Sequence, residues 1–194
     1  MYIVNTYIVA LIVINCVILI FMKIYFAAHA TTKDNEAKVA SGWSDTELSD
    51  LGYKQAKELG EIFKDIPLDL VCCSDFKRAV DTVQMAFENK YPVIADQRLR
   101  ELNYGDCNGK PSAVVEPMKI RHIKEPFPNG ESYEQAIARV QDFYNELKEK
   151  YPGKTILVVG HRATQYGLDV LAGKTLEELL STPFKWRPYW EYQI

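Results

Sequence analysis

The sequence predicts an α/β fold, a three-layer sandwich in which a mainly parallel sheet carries helices on both faces. Two observations carry that expectation. Short continuous apolar runs of strand length alternate with segments of helical period, and the strand–turn–helix order that occurs twice early in the chain returns near its end. Strands buried on both faces read as unbroken apolar runs rather than as alternation.

The first such run is Lys23 to Phe26, followed by Ala27-Ala28-His29-Ala30, so strand one is expected to end at His29. Thr46-Glu47-Leu48-Ser49 opens a segment whose apolar positions Leu51, Ala56, Leu59, Ile62 and Phe63 recur with helical spacing, with Ser49 as the cap and Pro67 as the limit. Leu68, Leu70, Val71, Cys72 and Cys73 make a second buried strand, and Phe76 through Phe87 a second helix. An amphipathic helix is expected from about Ser132 to Lys150. The turn Pro152-Gly153 then leads into the strand Thr155-Ile156-Leu157-Val158-Val159, which His161 follows almost at once. Leu102 to Gly130, rich in Gly, Pro and Asn, reads as an irregular cap. The aromatic run Trp186 to Tyr192 reads as a closing edge strand.

Length and composition narrow the function. A chain of 194 residues suits one domain with one active site. Mixed charges at 25% and a net charge of −3 supply no basic face for neutralising nucleic-acid phosphates, so no nucleic-acid partner is expected. The four cysteines show neither metal-ligand spacing nor a disulfide framework and read as buried free thiols.

Residues 1–22 stand apart from the domain at 23–194. From Tyr2 to Met22 no side chain is charged, over about the twenty residues that a membrane helix requires. Asn5 and Asn15 interrupt the stretch, no Lys or Arg precedes it, and it has neither the basic start nor the cleavage site of a signal peptide. A membrane anchor through residues 2–21 and a dispensable extension ahead of a start at Met22 both stay open. The expected location is the cytoplasm, or the cytoplasmic face of a membrane if the anchor is real. Oligomeric state is not legible.

In parallel sheets ligands collect at the carboxyl ends of the strands. That rule brings His29, Ser74 and His161 to one sheet edge, with Arg78 at the start of the second helix and Glu101 after a further strand expected between the second helix and the cap. The chemistry of the set is coherent. One imidazole can attack phosphorus, a second imidazole and an arginine can hold phosphoryl oxygens, and a carboxyl group can protonate a leaving oxygen. His122, in the cap, lacks a strand-end placement.

On these residues the chain resembles the histidine phosphatase (phosphoglycerate mutase-like) superfamily. Phe26-Ala27-Ala28-His29-Ala30-Thr31-Thr32-Lys33-Asp34-Asn35 is similar to its signature, hydrophobic-x-Arg-His-Gly-Glu-Thr-x-x-Asn. Ala40-Ser41-Gly42-Trp43 and Leu48 through Ala56 resemble its next conserved stretch. Ser74 through Thr82 resembles S-x-L-x-R-A-x-x-T, and Leu99 through Gly105 resembles L-x-E-x-x-x-G. Pro128-Asn129-Gly130-Glu131-Ser132 and Val159-Gly160-His161 extend the match. The resemblance implies a phosphoglycerate mutase-like fold. It implies His29 as the nucleophile that becomes phosphohistidine, Glu101 as proton donor, and His161 as stabiliser of the phosphoryl group. Arg78 and Asn35 would serve at the phosphate. No cofactor or metal ion is implied, and the partner is a small phosphorylated substrate.

The chain departs from the pattern at Ala28, Ala30 and Thr31, where the family has Arg, Gly and Glu. A missing guanidinium removes one or two charge-assisted hydrogen bonds of roughly 1.5–3 kcal/mol each. Arg162, beside His161, is expected to replace it at the phosphate. Two functions are compatible with these residues: a phosphatase for small phosphomonoesters like the broad-specificity and α-ribazole-phosphate phosphatases, or a catalytically impaired member that binds a phosphorylated ligand or partner.

Overall fold

The computed structural model describes residues 22–183 and 185–193. The apolar stretch read as an anchor or extension lies outside them except for Met22. Among the described residues no helix is long and apolar enough to cross a membrane.

The chain runs β1 (Lys23–Ala28), α1 (Lys33–Glu36), β2 (Val39–Ala40), α2 (Asp50–Ile62), β3 (Leu70–Cys73), α3 (Lys77–Phe87) and β4 (Val93–Ala95). It continues through β5 (Lys110–Pro111), α4 (Ser112–Val115), α5 (Tyr133–Lys150), β6 (Thr155–Gly160), α6 (Arg162–Leu171), α7 (Leu176–Ser181) and β7 (Trp190–Gln193). The main sheet has the order β4-β3-β6-β1-β7. Its first four strands are parallel, and β7 closes the edge antiparallel to β1, with Phe26 opposite Trp190.

The apolar strands are explained by burial on both faces. Ile24, Phe26, Cys72, Ile156 and Val158 pack against Val140, Phe143, Tyr144 and Leu147 of α5 and Leu168 of α6. Their neighbours Tyr25, Ala27, Val71, Cys73, Leu157 and Val159 meet Leu59 and Phe63 at the α2 end and Ala79, Val83 and Phe87 of α3. Emptying such a site, as in Phe26→Ala, costs about 3–5 kcal/mol. Met22, one residue before β1, is buried in the first of these clusters.

The helix starts follow their capping residues. Ser49 Oγ accepts the amide of Gly52 to open α2. Ser132 and Gln135 exchange side-chain and backbone hydrogen bonds to open α5. Between β4 and α5 the chain forms short 3₁₀ turns, α4 and the strand β5, which pairs with β2 in a small ribbon. Leu102, Tyr104, Cys107, Val115 and Phe127 anchor this region on Tyr133 and Ile137 of α5 and Ala163 and Tyr166 of α6. The cap region therefore shares one apolar cluster with α5 and α6.

Candidate active site

β1 and β6 are adjacent and end level with one another, Ala28 opposite Gly160. The residues after them emerge side by side, and the His29 amide donates to the Gly160 carbonyl at 2.9 Å. The His29 and His161 rings lie with centroids 5.0 Å apart, tilted by 59°.

His29 Nδ1 sits 2.8 Å from the carbonyl oxygen of Ala30. A carbonyl can only accept, so this contact assigns the proton to Nδ1 and leaves the lone pair on Nε2. Burial first, and then the Arg78 charge, lowers the His29 pKa from 6.5 to about 4. The ring is therefore neutral at neutral pH, as a nucleophile must be.

His161 is 1% exposed, and neither of its ring nitrogens has a hydrogen-bond partner among the described residues. Burial, then the Arg78 charge, pushes its pKa well below the usual value. An unsatisfied buried polar group costs about 1–3 kcal/mol, a cost that a ligand oxygen accepting from this ring would offset.

Arg78, the second residue of α3, is also 1% exposed. Its Nη1 donates to the Ser44 carbonyl at 3.0 Å and its Nη2 to the Gly42 carbonyl at 2.8 Å, while the guanidinium lies 4.5 Å over the Phe76 ring. Two neutral carbonyls aim the group without cancelling its charge. Burial lowers the Arg78 pKa, and the more distant carboxylates, Glu101 first, oppose that. Gly42 can present its carbonyl because its φ is +53°; a side chain there would be strained and would run into Asn108 Oδ1.

Glu101 lies at the start of α6. Its carboxyl accepts the amides of Leu102 at 2.8 Å, Ala163 at 3.2 Å and Arg162 at 3.3 Å. The Glu101 carbonyl accepts from the Trp43 indole and from Arg139, which also binds the carbonyls of Arg98 and Arg100 and pairs with Glu131 at 2.8 Å.

The structure thus brings His29, Arg78, Glu101 and His161 to one sheet edge. Asn35 stands one turn away: it is exposed, and its Oδ1 accepts the Thr32 amide while its own amide donates to Thr32 Oγ1, which shapes the loop after His29. Arg162 opens α6, its guanidinium donating to Tyr166 Oη at 2.7 Å and lying 3.8 Å from Glu116. Glu116 also holds the buried Lys119. A cavity of about 40 Å³ opens beside Ala28 and His29, walled in part by Gln55, Thr82 and Trp186.

Three supporting residues are not marked as site residues by the sequence. Thr82 Oγ1 accepts the Ala30 amide and Gln55 Oε1 the Thr31 amide, which ties the His29 loop to α3 and α2. Both lie inside the motif stretches that carry the resemblance, so a signal existed. Arg139 had none, since apart from Glu131 its partners are backbone carbonyls some forty residues away. His122 stacks on Phe127 and bonds the Glu125 carbonyl, a structural role. Cys72, Cys73 and Cys107 are buried free thiols, and burial raises the Cys73 pKa to about 12. Cys16 lies outside the described residues.

The sequence pattern of the histidine phosphatase superfamily (branch 1) matches residues 24–184. The chain belongs to that superfamily. Among the relatives of this histidine phosphatase is an uncharacterized phosphatase, PhoE, of Bacillus subtilis (strain 168), 30% identical over 141 residues that cover 72% of each chain. The alpha-ribazole phosphatase from Shigella flexneri has a similar structure, with a TM-score of 0.72 at 25% identity, covering 81% of this chain and 83% of that one. A mycobacterial glucosyl-3-phosphoglycerate phosphatase in complex with VO3 also gives a TM-score of 0.72, at 26% identity over 83% of this chain and 85% of that one.

Proposed function

We propose that this histidine phosphatase, a phosphoric monoester hydrolase, cleaves small phosphomonoesters through a phosphohistidine on His29. The observation that carries the reading is the pairing of a neutral His29, whose Nε2 lone pair is bare because Nδ1 is committed to Ala30, with a buried His161 whose ring nitrogens have no partner among the described residues.

The reaction has two balanced steps. In the first, Nε2 attacks phosphorus in line, the bond from phosphorus to the alcohol oxygen breaks, and Glu101 gives that oxygen its proton. In the second, water attacks the phosphorus on Nε2 with Glu101 taking a proton, and phosphate leaves with His29 restored. Arg78 grips the non-bridging oxygens throughout, and a neutral His161 contributes one N–H as charge builds on them. Asn35 serves the phosphate chiefly by holding the loop after His29.

Arg162 supplies part of the positive charge that Ala28 lacks. It follows His161 directly, while Ala28 is paired with Gly160, so the two positions flank the same pair of histidines. The catalytic unit spans residues 23–194, and the cap at about 102–130 faces the leaving group. Mixing the protein with a phosphoryl-labelled substrate and quenching it tests the reading: acid-labile label should appear on His29 and be lost in His29→Ala. A protein that turns over phosphomonoesters with no such intermediate refutes it.

A further inference from the structure

The proposed reaction gives no role to Trp43, although this residue is tied to both halves of the site. Its side chain is 37% exposed and belongs to none of the buried apolar clusters, so core packing does not fix where it stands. Hydrogen bonds do. The indole Nε1 donates to the Glu101 carbonyl at 2.7 Å, and the Trp43 amide donates to Asn108 Oδ1 at 3.2 Å. On either side of it in the chain, Gly42 and Ser44 present the two carbonyls that receive the Arg78 guanidinium. A turn closes this loop, with the Ser44 amide donating to the Ser41 carbonyl at 2.9 Å, so Gly42, Trp43 and Ser44 are held as one unit.

A second cross-link joins the same segments behind the ring. The Arg100 guanidinium lies 4.9 Å from the Trp43 ring and 4.9 Å from the Phe76 ring, and it pairs with Asp75 through two contacts of 2.7 and 2.6 Å. Arg100 precedes Glu101 in the chain, while Asp75 and Phe76 lead into α3 and Arg78. Trp43 meets Phe76 edge-on at 6.2 Å, and Phe76 meets His161 in the same way at 5.6 Å. The loop that aims Arg78 and the loop that carries Glu101 are therefore fastened to one another at Trp43.

We propose that Trp43 is a positioning residue that couples the phosphate grip of Arg78 to the proton donor Glu101, its indole N–H fixing the Glu101 backbone while its two neighbours aim the guanidinium. The proposal deepens the phosphatase reading and rests on it for the roles of Arg78 and Glu101. A phosphate held by Arg78 then has its leaving oxygen set at a fixed distance from the Glu101 carboxyl, as proton transfer in the transition state requires. Trp43 acts through these two residues and takes no part in making or breaking bonds.

The test is Trp43→Phe, which keeps an aromatic ring for Arg100 and deletes the N–H donor. It is read as kcat/KM on p-nitrophenyl phosphate and on glycerol 1-phosphate, and as the inhibition constant of vanadate. The p-nitrophenol oxygen leaves as its anion, whereas the glycerol oxygen needs a proton as it leaves, so the two esters report separately on the donor. The expected loss on glycerol 1-phosphate exceeds that on p-nitrophenyl phosphate by at least roughly 5-fold, and the vanadate constant rises by roughly 3- to 10-fold, the worth of one net hydrogen bond. A merely structural role would lower both esters alike. Equal losses on the two esters, no loss, or movement of only one of the two readouts overturns the coupling. If Trp43→Phe does not fold, Trp43→3-benzothienylalanine, which keeps the bicyclic shape and puts sulfur in place of the N–H, is read in the same way. If the native protein turns over neither ester, the proposed reaction fails and the coupling is judged separately by vanadate calorimetry. Because the deleted N–H bonds the Glu101 carbonyl, weaker vanadate binding in the variant supports the coupling and unchanged binding rejects it.

Discussion

His29 should resist protonation well into acid solution, because burial and the Arg78 charge together hold its pKa near 4 instead of 6.5. At pH 5.5 an ordinary histidine is about 90% protonated, whereas a group with a pKa of 4 is about 3% protonated. The nucleophile therefore stays available through the mildly acidic range in which a solvent-exposed imidazole would be lost. Long-range nitrogen–proton NMR on ¹⁵N-histidine protein, with the three histidines assigned by single substitution, reads both the midpoint and the tautomer. The expected result is a His29 midpoint near 4, with Nδ1 protonated and Nε2 bare at neutral pH. Arg78→Gln should move the midpoint upward, because the opposing charge is gone, but leave it below 6.5, because burial is the larger cause. A native midpoint at 6 or above, or an Nε2–H tautomer, refutes the reasoning. Stability is linked to the same group. Between pH 6.5 and 4 the unfolded chain carries this proton and the folded chain does not, so stability falls as pH falls through that window. The same denaturation series on His29→Ala should show a shallower decline.

His29→Ala should abolish turnover while leaving the thermal midpoint within a few degrees, since the side chain stands at a strand end and outside the core clusters; unfolding of the variant, or retained activity, contradicts this. Gly42→Ala should displace the carbonyl that aims Arg78 and weaken vanadate binding by roughly 10-fold, measured as an inhibition constant. Arg139→Ala should destabilise the domain by about 3 kcal/mol, because Glu131 and three carbonyls lose their shared donor, and it should lower kcat more than it raises KM because the Glu101 loop loosens; Arg139→Lys should restore part of both. Arg162→Ala should weaken vanadate binding by roughly 10- to 100-fold, with Ala28→Arg recovering part of the loss in that background and gaining little alone, as a double-mutant cycle would show. Protein beginning at Met22 should fold and stay in solution, because Met22 and every later core residue are retained.

Element order and the placement of the two strand-end histidines are written in the chain's local pattern. An unbroken apolar run such as Tyr25 to Ala27 or Ile156 to Val159 marks a strand buried on both faces, and the residues immediately after such a strand lie at a sheet edge. The cap Ser49 and the start of a helix at about Ser132 were legible for the same reason, since a side chain bonding an amide three residues on is a short-range event. The cap's interior, the β2–β5 ribbon and α7 were not legible, because short segments carry too few residues to show a period. Long-range packing, in contrast, inserts β6 between β3 and β1, which sets His161 against His29 and lets one backbone bond tie the two strand ends together. Packing also clamps Arg78 between the neutral carbonyls of Gly42 and Ser44, so that a buried cation keeps its charge available, and it lets Arg139 gather the backbone around Glu101. Local pattern records which residues are buried, while charge, tautomer and cavity depend on partners supplied from distant parts of the chain.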